Sequence, residues 1–185
     1  MRYHLGITLL LTALLGANPA EAKTIKITAI DAVEAADNAV TGTASIDAQQ
    51  GFCGSGDDAQ AEPFTDTLLR ITLHNELSYN VTFTRVKFVI PGASASGRTV
   101  RTKRFALVRS GNVPPYDTED TKLYALFMDA RSGSKAFAGE TQTLASSRYG
   151  FKNVTVQLSG KTAAGRKISI SAKTALSFDD FDMCG

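Results

Sequence analysis

Hydrophobic and polar residues alternate with a period of two along most of the chain. The clearest runs are Leu69–His74, Val154–Leu158 and Ile168–Ala172, in which every second side chain is apolar. A half-buried strand has this period, whereas an amphipathic helix repeats every 3.6 residues. Shorter runs with the same period begin at Thr24, Val40, Val81 and Phe105. The pattern predicts an all-β, antiparallel domain of about eight strands.

The alternation changes phase once, between Val81 and Ile90. Val81 and Phe83 keep one phase, and Val86, Phe88 and Ile90 keep the other. An extra residue inserted into a strand shifts its phase in this way, so we predict a β-bulge near Thr84-Arg85.

Glycine, proline and serine mark the breaks between these runs. The pattern predicts loops at Pro91–Gly97 and at Ser110–Asn112 with the following Pro114-Pro115, and a hairpin loop at Ser159–Gly165. Ser132-Gly133-Ser134-Lys135 matches the S-x-x-K pattern of penicillin-binding enzymes, but the two companion motifs are missing. We therefore predict a simple turn there.

The segment from Thr118 to Arg131 fits two kinds of structure. Leu123, Phe127 and Ala130 lie at helical spacing, whereas Leu123, Ala125 and Phe127 also alternate. Because the neighbouring segments are strands, we predict a strand, with one short helix near 118–131 as the alternative.

The closing stretch, Val154–Ala172, resembles the last hairpin of bacterial immunoglobulin-like domains. It consists of two alternating runs around a loop rich in glycine and alanine. The resemblance implies an immunoglobulin-like β-sandwich, although the chain lacks the Cys…Trp…Cys spacing of antibody domains. It implies no functional residue.

The N-terminus has the form of a secretory signal peptide. Leu5–Ala17 is almost entirely apolar, and Ala20-Glu21-Ala22 provides a cleavage pattern of small residues. The apolar run is shorter than the ~20 residues that span a bilayer. We expect cleavage after Ala22, no membrane span, and a single domain over residues 23–185 in the periplasm or outside the cell.

The chain contains two cysteines, Cys53 and Cys184. Because an even pair is normally oxidised in an exported protein, we predict a disulfide bond between them. A loop of this length would gain roughly 5 kcal/mol of stability in the chain-entropy model.

Charge and composition argue against several classes of function. The net charge is +2, which is too small to indicate a nucleic acid partner. The predicted mature chain contains one histidine, His74, so it has neither a histidine metal cluster nor a supported Ser-His-Asp site. We expect no enzyme, with a small secreted hydrolase that uses His74 as one alternative.

Acidic residues flank both cysteines and suggest a second alternative. If the disulfide forms, it draws these acids together into an oxygen-rich site of the kind that calcium prefers. The candidate ligands are Asp57, Asp58, Asp179, Asp180 and Asp182. Calcium is thus the candidate cofactor, and otherwise we expect none.

Four cations lie close together between the first and the second of these loops: Arg98, Arg101, Lys103 and Arg104. Positive charge on an edge strand prevents edge-to-edge aggregation, which explains the cluster without a function. The alternative is contact with another protein or an anionic surface. The sequence therefore predicts an exported, non-enzymatic binding or structural module, and it leaves the partner and the oligomeric state open.

Overall fold

A computed structural model describes residues 24–35, 45–114, 120–140, 143–144 and 146–180. The described residues form twelve strands and two short 3₁₀ turns, and they contain no α-helix. The strands are β1 Ile25–Glu34, β2 Ser45–Asp47, β3 Phe52–Cys53, β4 Gln60–Ala61, β5 Thr67–Asn75, β6 Val81–Ile90, β7 Val100–Arg101, β8 Phe105–Val113, β9 Thr121–Arg131, β10 Ser134–Phe137, β11 Gly150–Thr162 and β12 Lys167–Asp179.

Most strands belong to one large sheet. Its order is β1-β5-β9-β8-β6-β11-β12-β2, with β10 paired to β9 and β7 paired to β6. The pairs are antiparallel except for β12 with β2, which is parallel. The short hairpin β3–β4 stands apart from this sheet. We call β1, β5, β9 and β10 the β1 half, and β6, β7, β11 and β12 the β6 half; β8 joins them.

The sheet curls so that its two halves enclose one hydrophobic core. Phe127 of β9 and Phe178 of β12 are far apart along the sheet order, yet their ring centroids lie 6.1 Å apart. The same cluster of buried residues includes Leu69 and Ile71 from β5 and Val156 and Leu158 from β11. Strands β1 and β12 also come into contact where the two ends of the curled sheet meet.

Phe127 is at the centre of an aromatic cluster that joins the halves. Its ring lies 4.9 Å from that of Phe88 and 5.6 Å from that of Phe137, both in edge-to-face geometry. Edge-to-face contacts of this kind add to the gain from burial. Phe105 and Phe178 complete the cluster.

The all-β, antiparallel prediction is confirmed in its coarse form. The strand prediction for the ambiguous segment is also confirmed, because β9 runs from Thr121 to Arg131, and the alternative of a helix there is wrong. An immunoglobulin-like sandwich of about eight strands is not confirmed, because the described strands are more numerous and one continuous sheet path passes through both halves.

The predicted bulge is confirmed. The register between β6 and β8 shifts between Phe83 and Arg85. The sequence did not predict a second shift, which lies between Ser159 and Gly160 in β11 where it pairs with β6. Gly160 is needed there for space, since a Cβ at this position would collide with the backbone of Thr82 and Phe83.

Two of the predicted loops are shorter or absent. Strand β8 continues through Ser110–Asn112, where Gly111 pairs with Phe83 and packs so closely that a Cβ would lie 2.8 Å from Leu123. The prediction of a turn at Gly111 was therefore wrong, because close packing requires this glycine. The β11–β12 hairpin extends to Thr162 and resumes at Lys167, so its turn is also shorter than predicted.

Two of the segments predicted from the sequence lie wholly or mostly outside the described residues. The signal peptide over residues 1–22 and most of the run that begins at Val40 lie there. Within the part of the chain that is described, no helix is long and apolar enough to cross a membrane.

Candidate functional site

The two halves of the sheet differ in how they arrange charge. In the β1 half and its adjoining loops, cations meet acids: Lys26 lies 2.9 Å from Glu76, and Arg70 lies 2.9 Å from Asp31. By contrast, the lysines and arginines of β6, β11 and β12 have no ion-pair partner among the residues that the structure describes. Within the described part of the chain, most cations of the β1 half are therefore paired with acids, whereas those of β6, β11 and β12 are not.

The sequence explains this difference. Two long segments, 77–116 and 141–178, contain none of the 18 acidic residues of the chain. They form β6, β7, β8, β11 and nearly all of β12. Their cations are Arg85, Lys87, Arg98, Arg101, Lys103, Arg104, Arg109, Arg148, Lys152, Lys161, Arg166, Lys167 and Lys173. The net charge of +2 is the sum over the whole chain, so it does not reveal that the acidic residues are absent from these two segments.

Strand alternation places part of this charge on one outer surface. Val156 and Leu158 of β11 face the core, so Ser159 and Lys161 face outward, and β12 alternates in the same way. We call this surface the basic face. Its cations are Arg85 and Lys87 on β6, Lys161 on β11, and Lys167 and Lys173 on β12.

A groove of about 700 Å³ lies at one end of the basic face, and four cations line it: Arg85, Arg104, Lys161 and Lys167. The other lining residues are mostly small hydroxyl side chains and a glycine. They are Thr82, Thr84, Ser159, Gly160, Ile168 and Ser169. None of the described residues that line the groove is a carboxylate, so these residues give it a positive field.

Both bulges contribute to the shape of this groove. The shift in β6 leaves Thr84 and Arg85 consecutively exposed, and the shift in β11 brings Gly160 against the backbone of Thr82. In register, Arg85 pairs with Ser159 on one side and with Ala106 on the other. Bulges re-aim side chains in this manner next to binding sites.

Ser159 is unusual among the hydroxyl groups of the groove. Its Oγ is buried and is the one such side-chain atom without a hydrogen-bond partner in the described part of the chain. The neighbouring hydroxyl of Ser169 donates to the carbonyl oxygen of Leu158 at 3.0 Å. A buried polar atom without a partner is rare in folded proteins, and a bound ion or a water is one of its explanations.

The structure divides the predicted basic cluster. Arg98, Arg101 and Lys103 are exposed but do not line the groove, whereas Arg104 does. Arg98 belongs to the loop before β7, where its guanidinium donates to Ser96 Oγ at 3.1 Å. Arg101 lies in the two-residue edge strand β7. The other cations of the groove come from distant parts of the sequence.

The predicted calcium ligands are only partly described. Asp57 and Asp58 lie exposed in a 3₁₀ turn, Asp179 and Asp180 lie at the end of β12, and Asp182 is outside the described residues. No group of three or more His, Cys, Asp or Glu side chains in the described residues could hold a metal ion. The complete five-acid site remains a prediction.

Asp179 instead has a neighbour that the sequence did not suggest. It lies in register with Asp47 across the parallel pair of β12 and β2, and Asp47 is almost fully buried. Tyr149 lies close to both: its burial raises the pKa of its phenol, and the negative charges of Asp180, Asp47 and Asp179 raise it further. The acidic end of the fold is thus separate from the groove and opposite to it in sign.

The predicted disulfide cannot be followed to its second cysteine. Cys53 lies in β3, directly after the exposed Phe52, and Cys184 is outside the described residues. The bond between Cys53 and Cys184 therefore stays a prediction.

If this bond forms, Cys53→Ser should lower the free energy of unfolding by about 2–5 kcal/mol. The oxidised protein should also show no reactive thiol until it is denatured and reduced. Chemical denaturation and thiol titration measure both quantities. Two reactive thiols in the exported native protein would refute the predicted bond.

Among the described residues, the contacts of His74 differ from those of a Ser-His-Asp triad. Its Nδ1 lies 3.4 Å from Asp120 Oδ1, and Thr28 Oγ1 donates to Asp120 Oδ2 at 3.3 Å. In a catalytic triad the histidine lies between the hydroxyl and the carboxylate. Here the carboxylate occupies the middle position, so Thr28 is not activated by His74.

Comparisons with known proteins give no further indication of function. No protein-family model matches the chain, and no curated protein matches it either.

Proposed function

We propose that this protein is an exported, non-enzymatic binding module that holds an anionic partner on its basic face. The observation that carries the proposal is the contrast between the halves among the described residues: most cations of the β1 half lie beside acids, whereas the cations of β6, β11 and β12 have no ion-pair partner. An ordinary solvated surface mixes both signs. Segregated charge of one sign instead attracts and orients a partner of the opposite sign.

The shape of the surface supports the same proposal. Long antiparallel strands, β11 and β12, hold the cations at fixed spacing, and a groove of about 700 Å³ provides a concave contact at one end. Hydroxyl groups between the cations can donate hydrogen bonds to anionic oxygens. An anionic polymer or surface therefore fits this face better than an apolar ligand does.

Two further elements of the proposal come from the sequence. Export follows from the predicted signal peptide over residues 1–22. The immunoglobulin-like class is suggested by the closing hairpin, and it is supported by two sheet halves that face each other across one core.

The proposal predicts salt-dependent retention on an anionic matrix. The purified protein should bind immobilised heparin, a sulfated polysaccharide, at low ionic strength, and it should elute as salt screens the charges. An uncharged matrix of the same polymer type should not retain it. Passage through heparin without delay at low ionic strength would refute the proposed function.

A further inference from the structure

We propose that the groove on the basic face is a subsite for one tetrahedral oxyanion, a phosphate or sulfate group carried by the partner. This inference rests on the proposed function and adds the chemical group that the site recognises. Two arginines, two lysines and the unpartnered hydroxyl of Ser159 would form this subsite.

The cations have the composition of an oxyanion site. Arg85 and Arg104 each offer a planar fork of N–H donors that matches two oxygens of a phosphate or sulfate group. Lys161 and Lys167 pair directly across the β11–β12 hairpin, and both side chains line the groove. Two like charges held side by side repel each other, and an anion between them removes that cost.

Ser159 indicates where the anion would lie. Its register partner on β6 is Arg85, and its register partner on β12 is Ser169. Because its Oγ is covered and has no acceptor in the described structure, an oxyanion oxygen that entered beneath the cationic side chains would give this hydroxyl a partner. Gly160 leaves the adjacent backbone without a side chain.

A planar carboxylate fits this arrangement less well than a tetrahedral group does. Donors reach the groove from β6, from the segment before β8, and from β11 and β12, so they converge from several sides. A phosphate or sulfate has oxygens in four directions, whereas a carboxylate has two oxygens in one plane. We therefore expect the groove to prefer phosphate or sulfate to acetate.

The test titrates the protein with inorganic phosphate, sulfate or acetate at constant ionic strength, followed by backbone amide NMR. Phosphate or sulfate should shift the amides of residues 82–85 and 159–169 and should saturate, and acetate should not. Tighter binding of phosphate than of sulfate would assign a phosphorylated partner, and the reverse order would assign a sulfated one. Equal shifts with all three anions would overturn the inference.

Two variants and one control locate the site. Arg85→Gln with Arg104→Gln should weaken phosphate binding by at least tenfold. The control, Lys87→Gln with Lys173→Gln, removes the same amount of charge from the basic face outside the groove. It should change the phosphate affinity by less than threefold. Ser159→Ala should weaken phosphate binding by about tenfold, since a hydrogen bond to a charged group is lost. Its unliganded melting temperature should be unchanged or higher, because an unsatisfied buried hydroxyl is removed.

The failure of this inference and the failure of the proposed function give different results. Retention on heparin without saturable phosphate or sulfate binding would overturn the subsite and leave the binding function intact. An equal loss of phosphate affinity in the groove variant and in its control would likewise overturn the subsite. Loss of heparin retention as well would overturn both.

Discussion

Phe127→Ala should lower the free energy of unfolding by about 3–5 kcal/mol, because a buried phenylalanine is replaced by a cavity. Phe127 is fully buried and contacts aromatic rings of β6, β10 and β12, so the loss affects both halves of the curled sheet. The neighbouring rings are held by their own strands and can fill the space only in part. Urea denaturation followed by circular dichroism measures the change.

Phe151→Ala provides the matched control for this prediction. Phe151 is 78% exposed on β11, so the same substitution removes little buried surface. We expect its free energy of unfolding to change by less than about 0.5 kcal/mol, as is usual for surface positions. Equal losses for the two variants would show that Phe127 is not at the centre of the core.

Glu34→Ala should also lower the free energy of unfolding by about 3–5 kcal/mol, because it leaves the ammonium group of Lys135 buried without a counter-charge. Lys135 is 1% exposed, and its Nζ lies 3.4 Å from Glu34 and 3.0 Å from Thr67 Oγ1. The ammonium also lies over the ring of Phe64, 4.8 Å from its centroid. None of these remaining neighbours carries a negative charge.

Lys135→Met is the informative companion of this variant. Methionine has a similar volume and no charge, and replacing buried ion pairs with apolar residues is often neutral or stabilising. In the double variant with Glu34→Ala, the cost should therefore be well below that of Glu34→Ala alone. A double-mutant cycle in urea isolates this coupling. Additive losses would contradict a buried ion pair between these residues.

The sequence was sufficient for most of the long strands and insufficient for the short strands and for the arrangement of the sheet. Period-two alternation correctly located β5, β11 and β12, and the phase change between Phe83 and Val86 correctly located a bulge. Gly111 was wrongly predicted to lie in a turn, because glycine occurs both in turns and in strands where another group packs closely against the backbone. The curl of one sheet around Phe127 depends on long-range pairing, which local patterns do not specify.

The site was only partly predictable for a related reason. Arg104 was identified within a local cluster, but Arg85, Lys161 and Lys167 lie on strands that pairing alone brings together. The net charge of +2 gave no indication of a basic surface, because a sum over the whole chain does not show that two segments lack acidic residues. Those acid-free segments were a visible signal, and they correspond to one half of the sheet. Ser159 had no signal in the sequence, since its burial depends on the fold.

The comparison of two charge-matched variants for heparin binding in solution tests the central claim most directly. Lys161→Gln with Lys173→Gln removes two cations from the basic face. Lys26→Gln with Lys122→Gln removes two cations from the β1 half, so both variants have the same net charge. Isothermal titration calorimetry at low and at high salt gives the dissociation constant of each.

Our account predicts that the basic-face variant binds heparin at least about tenfold more weakly, given a contribution on the order of 1 kcal/mol per cation near an anionic surface. Its affinity should also depend less on salt. The control variant should bind within about twofold of the unmodified protein, because its lost charges lie on the other half. Equal weakening of the two variants would show that binding follows net charge alone, and it would contradict the basic face as the binding surface.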